Sequence, residues 1–173
     1  REGDGVSPVR HGPWGGDGTI EGLLELAGIP YVGSGVFASA AAMDKGHMKA
    51  VLMAAGLQVG PYELVTASQW REDPDSVLDR LAQLDLPVFV KPARAGSSVG
   101  ITRVTDVADL PDAIVAARAH DPRVIVEAGF LNVREIECGV LDAAAGPLTS
   151  VPAEIAVRAG HDFYDFEAKY LDD

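Results

Sequence analysis

The sequence is poor in cysteine and has no long apolar run. Its one cysteine, Cys138, cannot form an internal disulfide, which favours a reducing compartment. No apolar run reaches the roughly 18 residues that a membrane-spanning helix needs, and no signal-peptide pattern opens the chain. These absences argue against a secreted disulfide-rich protein and a helical membrane protein, and they predict a cytoplasmic one.

Basic residues are also scarce. The chain has 14 Lys+Arg and 26 Asp+Glu, a net charge of −12. Its overall negative electrostatic potential therefore disfavours binding to nucleic acid and to anionic membranes. A polyanionic ligand would have to be held by a few local cations, which makes each lysine near a glycine-rich loop a candidate. His47, His120 and His161 lack ligand spacing to one another or to Cys138, and no zinc site is predicted.

Strands and helices alternate along the chain, and 47% apolar residues suffice for a packed core. Strands are predicted at Val6–Val9, Tyr31–Val32, Tyr62–Thr66, Val88–Lys91, Ile101–Val104, Val124–Glu127, Ile136–Leu141 and Glu154–Val157. Helices are predicted from Asp17 to Gly28, from Asp44 to Gly56, at Val77–Leu84 and at Leu110–His120. Because short glycine-containing connections join several strands, we predict an α/β to α+β fold with at least one antiparallel sheet.

The strongest chemical pattern follows the strand that ends at Lys91. The next residues, 94–100, read Arg-Ala-Gly-Ser-Ser-Val-Gly, and the backbone N–H groups of such a loop can converge on phosphate oxygens while the lysine adds a charge. β-branched residues then continue as a strand, so the loop is not a Walker motif but a strand–loop–strand flap. A flexible hairpin with a solvated lysine is the alternative.

Three further side chains are candidates. Lys45 lies at the margin of a helix's apolar stripe (Met48 and the apolar residues after it) and points either into a cleft or along the surface. Glu127 ends an apolar strand, and Glu135 follows a loop later. Such carboxylates bind ribose hydroxyls or metal, or they simply face solvent.

Two loops complete the pattern. The loop from His11 to Gly18 holds four glycines and leads to a helix N-terminus, which favours an anion such as a substrate carboxylate; an ordinary turn is the alternative. The segment Tyr164–Tyr170 is aromatic and charged, as in loops that close over a ligand.

In this order, the segments resemble the D-alanine–D-alanine ligases, which are ATP-grasp enzymes. The matching segments are His11-Gly12, Gly15, Asp17-Gly18, Gly28–Gly35, Met43-Asp44-Lys45, Phe89–Pro92, Gly96–Gly100, Glu127, Tyr164-Asp165-Phe166 and Lys169-Tyr170.

The resemblance implies an ATP-grasp fold. It divides the chain into the end of an N-terminal Rossmann-like pre-ATP-grasp domain (1–33), a central small ATP-grasp domain (34–127) and the start of a C-terminal ATP-grasp domain (128–173). The first domain would lack most of its βαβ part, and the last its metal-binding part.

The resemblance also implies where ATP is bound. Lys45 and Lys91 would reach the phosphates, and Glu127 would lie beside the adenine. Glu135 would accept a hydrogen bond from the ribose. The residues expected to cover the phosphates are Gly96, Ser98 and Val99.

The remaining implied roles concern the reacting groups. Ser97 and Tyr170 would link the two covering loops near the substrate, and Lys169 would touch the transferred phosphate. His11 and Gly12 would lie near the second D-alanine. Tyr170 is typical of ligases that make D-alanyl-D-alanine rather than D-alanyl-D-lactate.

The expected partners are ATP, Mg²⁺ and D-alanine, with a homodimer as the assembly. The sequence contains no Glu-x-Asn element, so the metal ligands are expected beyond residue 173, and the 173-residue chain alone is expected to be inactive. It departs from the family at Ser7, Arg10, Gly16 and Glu21. The alternatives are a D-lactate, D-serine or other ATP-grasp ligase, and a nucleotide-binding remnant without turnover.

Overall fold

A four-stranded antiparallel sheet organises the first of two units into which the chain divides, Arg1–Gly129 and Phe130–Asp173. The computed structural model describes residues 5–9, 12–131 and 133–155. The helices are α1 (Thr19–Leu26), α2 (Val36–Met43), α3 (Lys45–Ala54), α4 (Ala67–Glu72), α5 (Pro74–Leu81) and α6 (Leu110–Arg118). The strands are β1 (Tyr62–Val65), β2 (Val88–Pro92), β3 (Thr102–Val104), β4 (Val124–Ala128), β5 (Glu135–Glu137), β6 (Val140–Leu141), β7 (Leu148–Thr149) and β8 (Ala153–Ile155).

Strand β4 lies between β1 and β2 in the sheet, whose order is β1-β4-β2-β3. The three strand pairings of this sheet are antiparallel, so the predicted antiparallel sheet is confirmed. In this register Glu127 lies opposite Tyr62 on one side and Phe89 on the other. Residues far apart in sequence therefore meet at one end of β4.

The core of this unit lies where α5 and α6 pack on the sheet. Alternate residues of β2 are buried, as expected for a strand with one covered face. The buried cluster contains Val65, Val77, Leu81, Val88, Val90, Val104, Leu110, Ala113, Ile114, Ala117, Val124 and Val126. The other face of β2 is left to carry Phe89 and Lys91.

Helices α1 and α3 both end at glycine, as predicted. Gly28 and Gly56 have φ 64° and 79°, a conformation that glycine adopts without steric penalty. After α1, Ile29 N donates to Leu24 O and Gly28 N to Glu25 O, the paired bonds of a Schellman motif. The sequence therefore located these two ends correctly.

The start of α1 differs from the prediction by one residue. Gly18, not Asp17, occupies the N-cap position, with φ 90° and so little room that a Cβ would lie 2.6 Å from Val36 O. The Asp17 carboxylate still accepts from Thr19 N at 3.1 Å. Asp17 therefore lies one residue before the N-cap and still accepts a hydrogen bond from a helix N–H.

Several other bounds differ from the predictions. The segment Val6–Val9 forms only one bridge, from Val6 to Tyr31. Helix α5 begins earlier than predicted because Asp73 caps it and Pro74 occupies the first turn. Helices α2 and α4 were not predicted, since both are short and α2 is nearly all small residues.

The second unit consists of short antiparallel ladders, β5 with β8 and β6 with β7. The predicted strand Ile136–Leu141 is divided between β5 and β6. Arg134 and Glu154 form a two-bond ion pair at 2.8 and 2.9 Å beside the first ladder. Among the described residues, no helix is long and apolar enough to cross a membrane.

Two neighbouring residues of α6 test the core. Ile114 has no exposed surface, whereas Val115 is 57% exposed. We expect Ile114→Ala to lower the free energy of unfolding by about 2–5 kcal/mol, because it leaves a cavity against the sheet. Val115→Ala should change it by less than about 0.5 kcal/mol. Urea unfolding of both variants measures the difference, and equal losses would contradict the packing described here.

Candidate active site

The carboxylate of Glu127 lies between two lysines at the end of β4. Lys91 Nζ lies 2.6 Å from one carboxylate oxygen, and Lys49 Nζ lies 2.7 Å from the other. All three side chains are largely buried, so neither predicted residue has the solvent-facing role that was the alternative. Lys49 was not predicted. Its position four residues after Lys45, on the same helical face, was the only available signal.

The ionisation of Glu127 depends on these lysines. Burial by itself raises the pKa of the carboxyl, but the charges and hydrogen bonds of Lys91 and Lys49 outweigh burial and leave the pKa below its usual value. Each ammonium also lies over an aromatic ring, Lys49 over Tyr62 at 5.2 Å and Lys91 over Phe89 at 5.4 Å. Glu127 is thus held as a carboxylate with a cation on each oxygen.

Lys45 is held by main-chain carbonyl groups rather than by a carboxylate. Its Nζ donates to Pro92 O at 3.0 Å and to Ala95 O at 2.7 Å, with Ala93 O at 3.5 Å. Burial lowers the pKa of Lys45, and the nearby positive charge of Lys91 lowers it further. The cleft interpretation of Lys45 is therefore correct, because the ammonium lies against the start of the glycine loop.

Two buried carboxylates fix the segments around Lys45. Asp44 caps α3 by accepting from Gly46 N and His47 N, and it also receives Arg123 at 2.7 Å. Asp121 accepts three bonds from Arg94, one from its main chain and two from its guanidinium, at 2.8–2.9 Å. The helix that carries Lys45 and the loop that receives it are thereby tied to the turn before β4.

The glycine loop joins β2 to β3, which pair antiparallel, in the predicted strand–loop–strand order. Ser97 and Ser98 have φ 53° and 58°, and Val99 N donates to Gly96 O at 3.1 Å across this tight turn. Left-handed conformations in residues other than glycine cost about 1–3 kcal/mol each and occur most often at functional sites. Gly100, at φ 70°, lies so close to His120 that a Cβ would approach its ring to 2.6 Å.

The loop before α1 meets the glycine loop at a glycine–glycine contact. A Cβ on Gly96 would lie 3.8 Å from both N and Cα of Gly12. Asp17 stabilises the Gly12 turn by accepting from Trp14 N at 2.9 Å. Two predicted segments more than 80 residues apart in sequence are thus adjacent.

Two of the four positions that depart from the family, Gly16 and Glu21, follow this turn in sequence. A Cβ on Gly16 would lie 3.3 Å from the terminal methyl of Met43, so a larger residue requires Met43 to move. Glu21 is only 5% exposed, and its Oε2 has no hydrogen-bond partner among the described residues. A neutral side chain would cost less free energy to bury at this position than a carboxylate does.

The remaining predicted residues lie in the second unit or outside the described residues. Glu135 lies in β5 of the second unit, opposite Ile155. His11, Lys169 and Tyr170, with the rest of the Tyr164–Tyr170 segment, lie outside the described residues. Within residues 5–9, 12–131 and 133–155, no three His, Cys, Asp or Glu side chains are grouped as metal ligands.

Asp121 provides a test of the charge network that includes pH. Its folded-state pKa lies below the ordinary value, because bonds from Arg94 and Arg123 outweigh the raising effect of burial. The folded state therefore binds fewer protons than the unfolded chain. Stability from this group is complete above about pH 4, the unfolded pKa, and is lost as pH falls through the lower folded pKa.

Asp121→Asn should lower the free energy of unfolding at pH 7 by about 1–3 kcal/mol, discounted because Arg94 is half-exposed. The variant should also lose less stability than the parent between about pH 4 and pH 2. Urea unfolding across this range measures both effects. Asp79→Asn, at an exposed carboxylate of α5, is the control, and an Asp121→Asn curve parallel to the parent's would be the contrary result.

Glu21→Gln is expected to stabilise the fold. Replacing a buried carboxylate whose Oε2 has no partner among the described residues should raise the free energy of unfolding at pH 7 by about 1 kcal/mol, since an amide is less costly to bury than a carboxylate. Glu72→Gln, on an exposed face of α4, should leave it unchanged. Thermal unfolding compares the two, and a lower melting temperature for Glu21→Gln would show that the carboxylate has a partner.

Comparison with known proteins places these residues in a family. The family model described as D-ala D-ala ligase C-terminus matches residues 51–173. The chain is 55% identical to the D-alanine–D-alanine ligase of Streptomyces coelicolor, covering 98% of this chain and 44% of that protein. It is 60% identical to the ligase of the same name from Frankia casuarinae, over 98% of this chain and 43% of that protein.

Solved structures give the same result. D-alanyl-alanine synthetase A from Vibrio cholerae has a TM-score of 0.81 and 35% identity, covering 91% of this chain and 47% of that one. The VanG D-Ala:D-Ser ligase from Enterococcus faecalis has a TM-score of 0.80 and 39% identity, over 91% and 44%. The chain thus spans less than half the length of these relatives. The resemblance and the ATP-grasp fold are confirmed, and the chain belongs to the D-alanine–D-alanine ligase family.

Proposed function

We propose that the full-length protein is an ATP-dependent ligase that joins two D-alanines into D-alanyl-D-alanine for peptidoglycan precursors, and that it acts in the cytoplasm. The observation that carries the proposal is the cluster of Lys45, Lys91 and Glu127 beside the glycine loop, in a chain of this family. The relatives named above, which carry this activity in their names, support it.

The positive charge of the cluster favours binding of a nucleoside triphosphate. Lys45, Lys49 and Lys91 bring three positive charges against the one negative charge of Glu127, in a chain whose overall charge is −12. Local cations of this kind attract phosphate despite the general field. The turn at Ser97 and Ser98 holds the loop in the hairpin between β2 and β3, where we propose that it covers the phosphates.

The proposed reaction has two steps. A carboxylate oxygen of the first D-alanine attacks the γ-phosphorus of ATP, the bond to ADP breaks, and an acyl phosphate forms. The amine of the second D-alanine attacks the acyl carbon, the carbon–oxygen bond to phosphate breaks, and the nitrogen loses a proton. Positioning and neutralisation of charge supply most of the rate enhancement in such phosphoryl transfers.

Roles outside the described cluster remain part of the proposal. We assign Ser97 and Tyr170 to the link between covering loops, Lys169 to the transferred phosphate, His11 and Gly12 to the second substrate, and Glu135 to the ribose. The domain division 1–33, 34–127 and 128–173 and a homodimer belong to it as well.

The family also implies Mg²⁺, which would neutralise charge on the phosphates. The described residues do not form a site for it, so we derive no step through it.

A ligase for D-alanine and D-serine is the second candidate. The similarity to the VanG D-Ala:D-Ser ligase favours it, as do Gly16 and Glu21 beside the proposed second-substrate loop. A D-lactate ligase and a nucleotide-binding remnant are the further alternatives.

The test is phosphate release from ATP by the full-length protein with magnesium. We expect release with D-alanine alone, with no extra product when D-serine or D-lactate is added. Lys91→Ala should lower kcat/KM by about 100-fold or more, because a preorganised cation at the phosphates is lost. Arg71→Ala, at an exposed cation paired only with its neighbour Glu72, is the control and should change little.

The contrary outcomes separate the candidates. Release that requires D-serine or D-lactate would assign the protein to the corresponding ligase. No release with any acceptor, while ATP still raises the melting temperature, would identify a binding remnant.

A further inference from the structure

Lys49 shares the Glu127 carboxylate with Lys91 but is not among the residues assigned to ATP above. Each carboxylate oxygen receives one ammonium, at 2.7 Å from Lys49 and 2.6 Å from Lys91. One negative charge thus serves two positive ones. Neither lysine is fully neutralised, and the pair keeps a net positive charge.

The two lysines differ in how free they are to move. Both ammonium groups lie over an aromatic ring, but the Lys49 side chain is 12% exposed, whereas Lys91 is 23% exposed and lies next to the glycine loop in sequence. Lys49 also lies on α3, whose start is fixed by Asp44. Lys91 is therefore the ammonium that a phosphate can draw away, and Lys49 is the one that stays.

We propose that Lys49 is a positioning residue that keeps Glu127 neutralised, so that Lys91 is free to transfer its ammonium from Glu127 to a phosphate of ATP. This inference rests on the proposed function. It assigns to Lys49 a role through Glu127 and Lys91 rather than by contact with the nucleotide.

The reason is the energy of a buried charge. A buried carboxylate that loses its only cation is strongly destabilised, so with Lys49 absent Glu127 would hold Lys91 in place. Binding of a phosphate at Lys91 would then require breaking that pair without compensation. A ligand without phosphates would not meet this penalty.

The experiment compares ATP with adenosine on the full-length protein, by calorimetry in the presence of magnesium. Lys49→Met, which keeps the length of the side chain, should weaken ATP binding by about tenfold or more and adenosine binding by less than about threefold. Lys49→Arg should restore the parental ratio of the two affinities, because it returns a cation to Glu127.

A double variant provides the decisive control. With Glu127→Gln in place, no charge remains to hold Lys91, so adding Lys49→Met should leave the ATP-to-adenosine affinity ratio unchanged. This comparison is also readable if Lys49→Met alone does not fold. Any direct effect on an adenine contact appears in both affinities and cancels in the ratio.

The failures are distinguishable. If the parent protein binds neither ATP nor adenosine, the proposed function is wrong. If the parent binds both and Lys49→Met weakens them equally, or leaves them unchanged, Lys49 has only a structural role and this inference is overturned. The inference would also be overturned if Lys49→Met changed the ATP-to-adenosine affinity ratio equally with and without Glu127→Gln.

Discussion

Helix α3 is held to the sheet mainly by charge, and the geometry of the site depends on that. Its predicted apolar stripe is not buried: Val51 is 57% exposed, and the one buried position of the helix is Gly46, against Leu64. The attachments are instead polar, from Asp44 to Arg123, from Lys45 to loop carbonyls and from Lys49 to Glu127. Because the partners of a polar bond must meet at defined distances and angles, this mode of attachment fixes the lysines more narrowly than apolar packing would.

The order of the strands explains why these charges meet. Placing β4 between β1 and β2 sets Glu127 opposite Phe89 and brings Lys91, two residues later on β2, within reach of its carboxylate. The same insertion brings the turn before β4, with Asp121, against the start of the glycine loop. If the strands followed sequence order, β3 would separate β2 from β4, the two strands that carry the ion pair. The ion pair therefore depends on this strand order.

The sequence was sufficient for features that depend on neighbouring residues. Gly28 and Gly56 end their helices, and a loop and a further strand follow Lys91, all as predicted. The partners of the candidate residues could not be predicted in this way. Lys49 and Asp121 acquire their roles from contacts across 78 and 27 residues of sequence, and no local pattern encodes which strand lies beside which.

The two lysines assigned to phosphate start from different electrostatic states. Lys45 donates to neutral carbonyl oxygens, which a phosphate can replace without leaving a charge unpaired. Lys91 donates to a carboxylate, and removing it would leave a buried charge if no second cation were present. In the proposed function, Lys45 would therefore reach a phosphate by exchanging hydrogen bonds, whereas Lys91 would depend on what else neutralises Glu127. If both lysines bind phosphate as proposed, they would do so in separable steps, and the shared carboxylate would make the second step sensitive to Lys49, which need never touch the ligand.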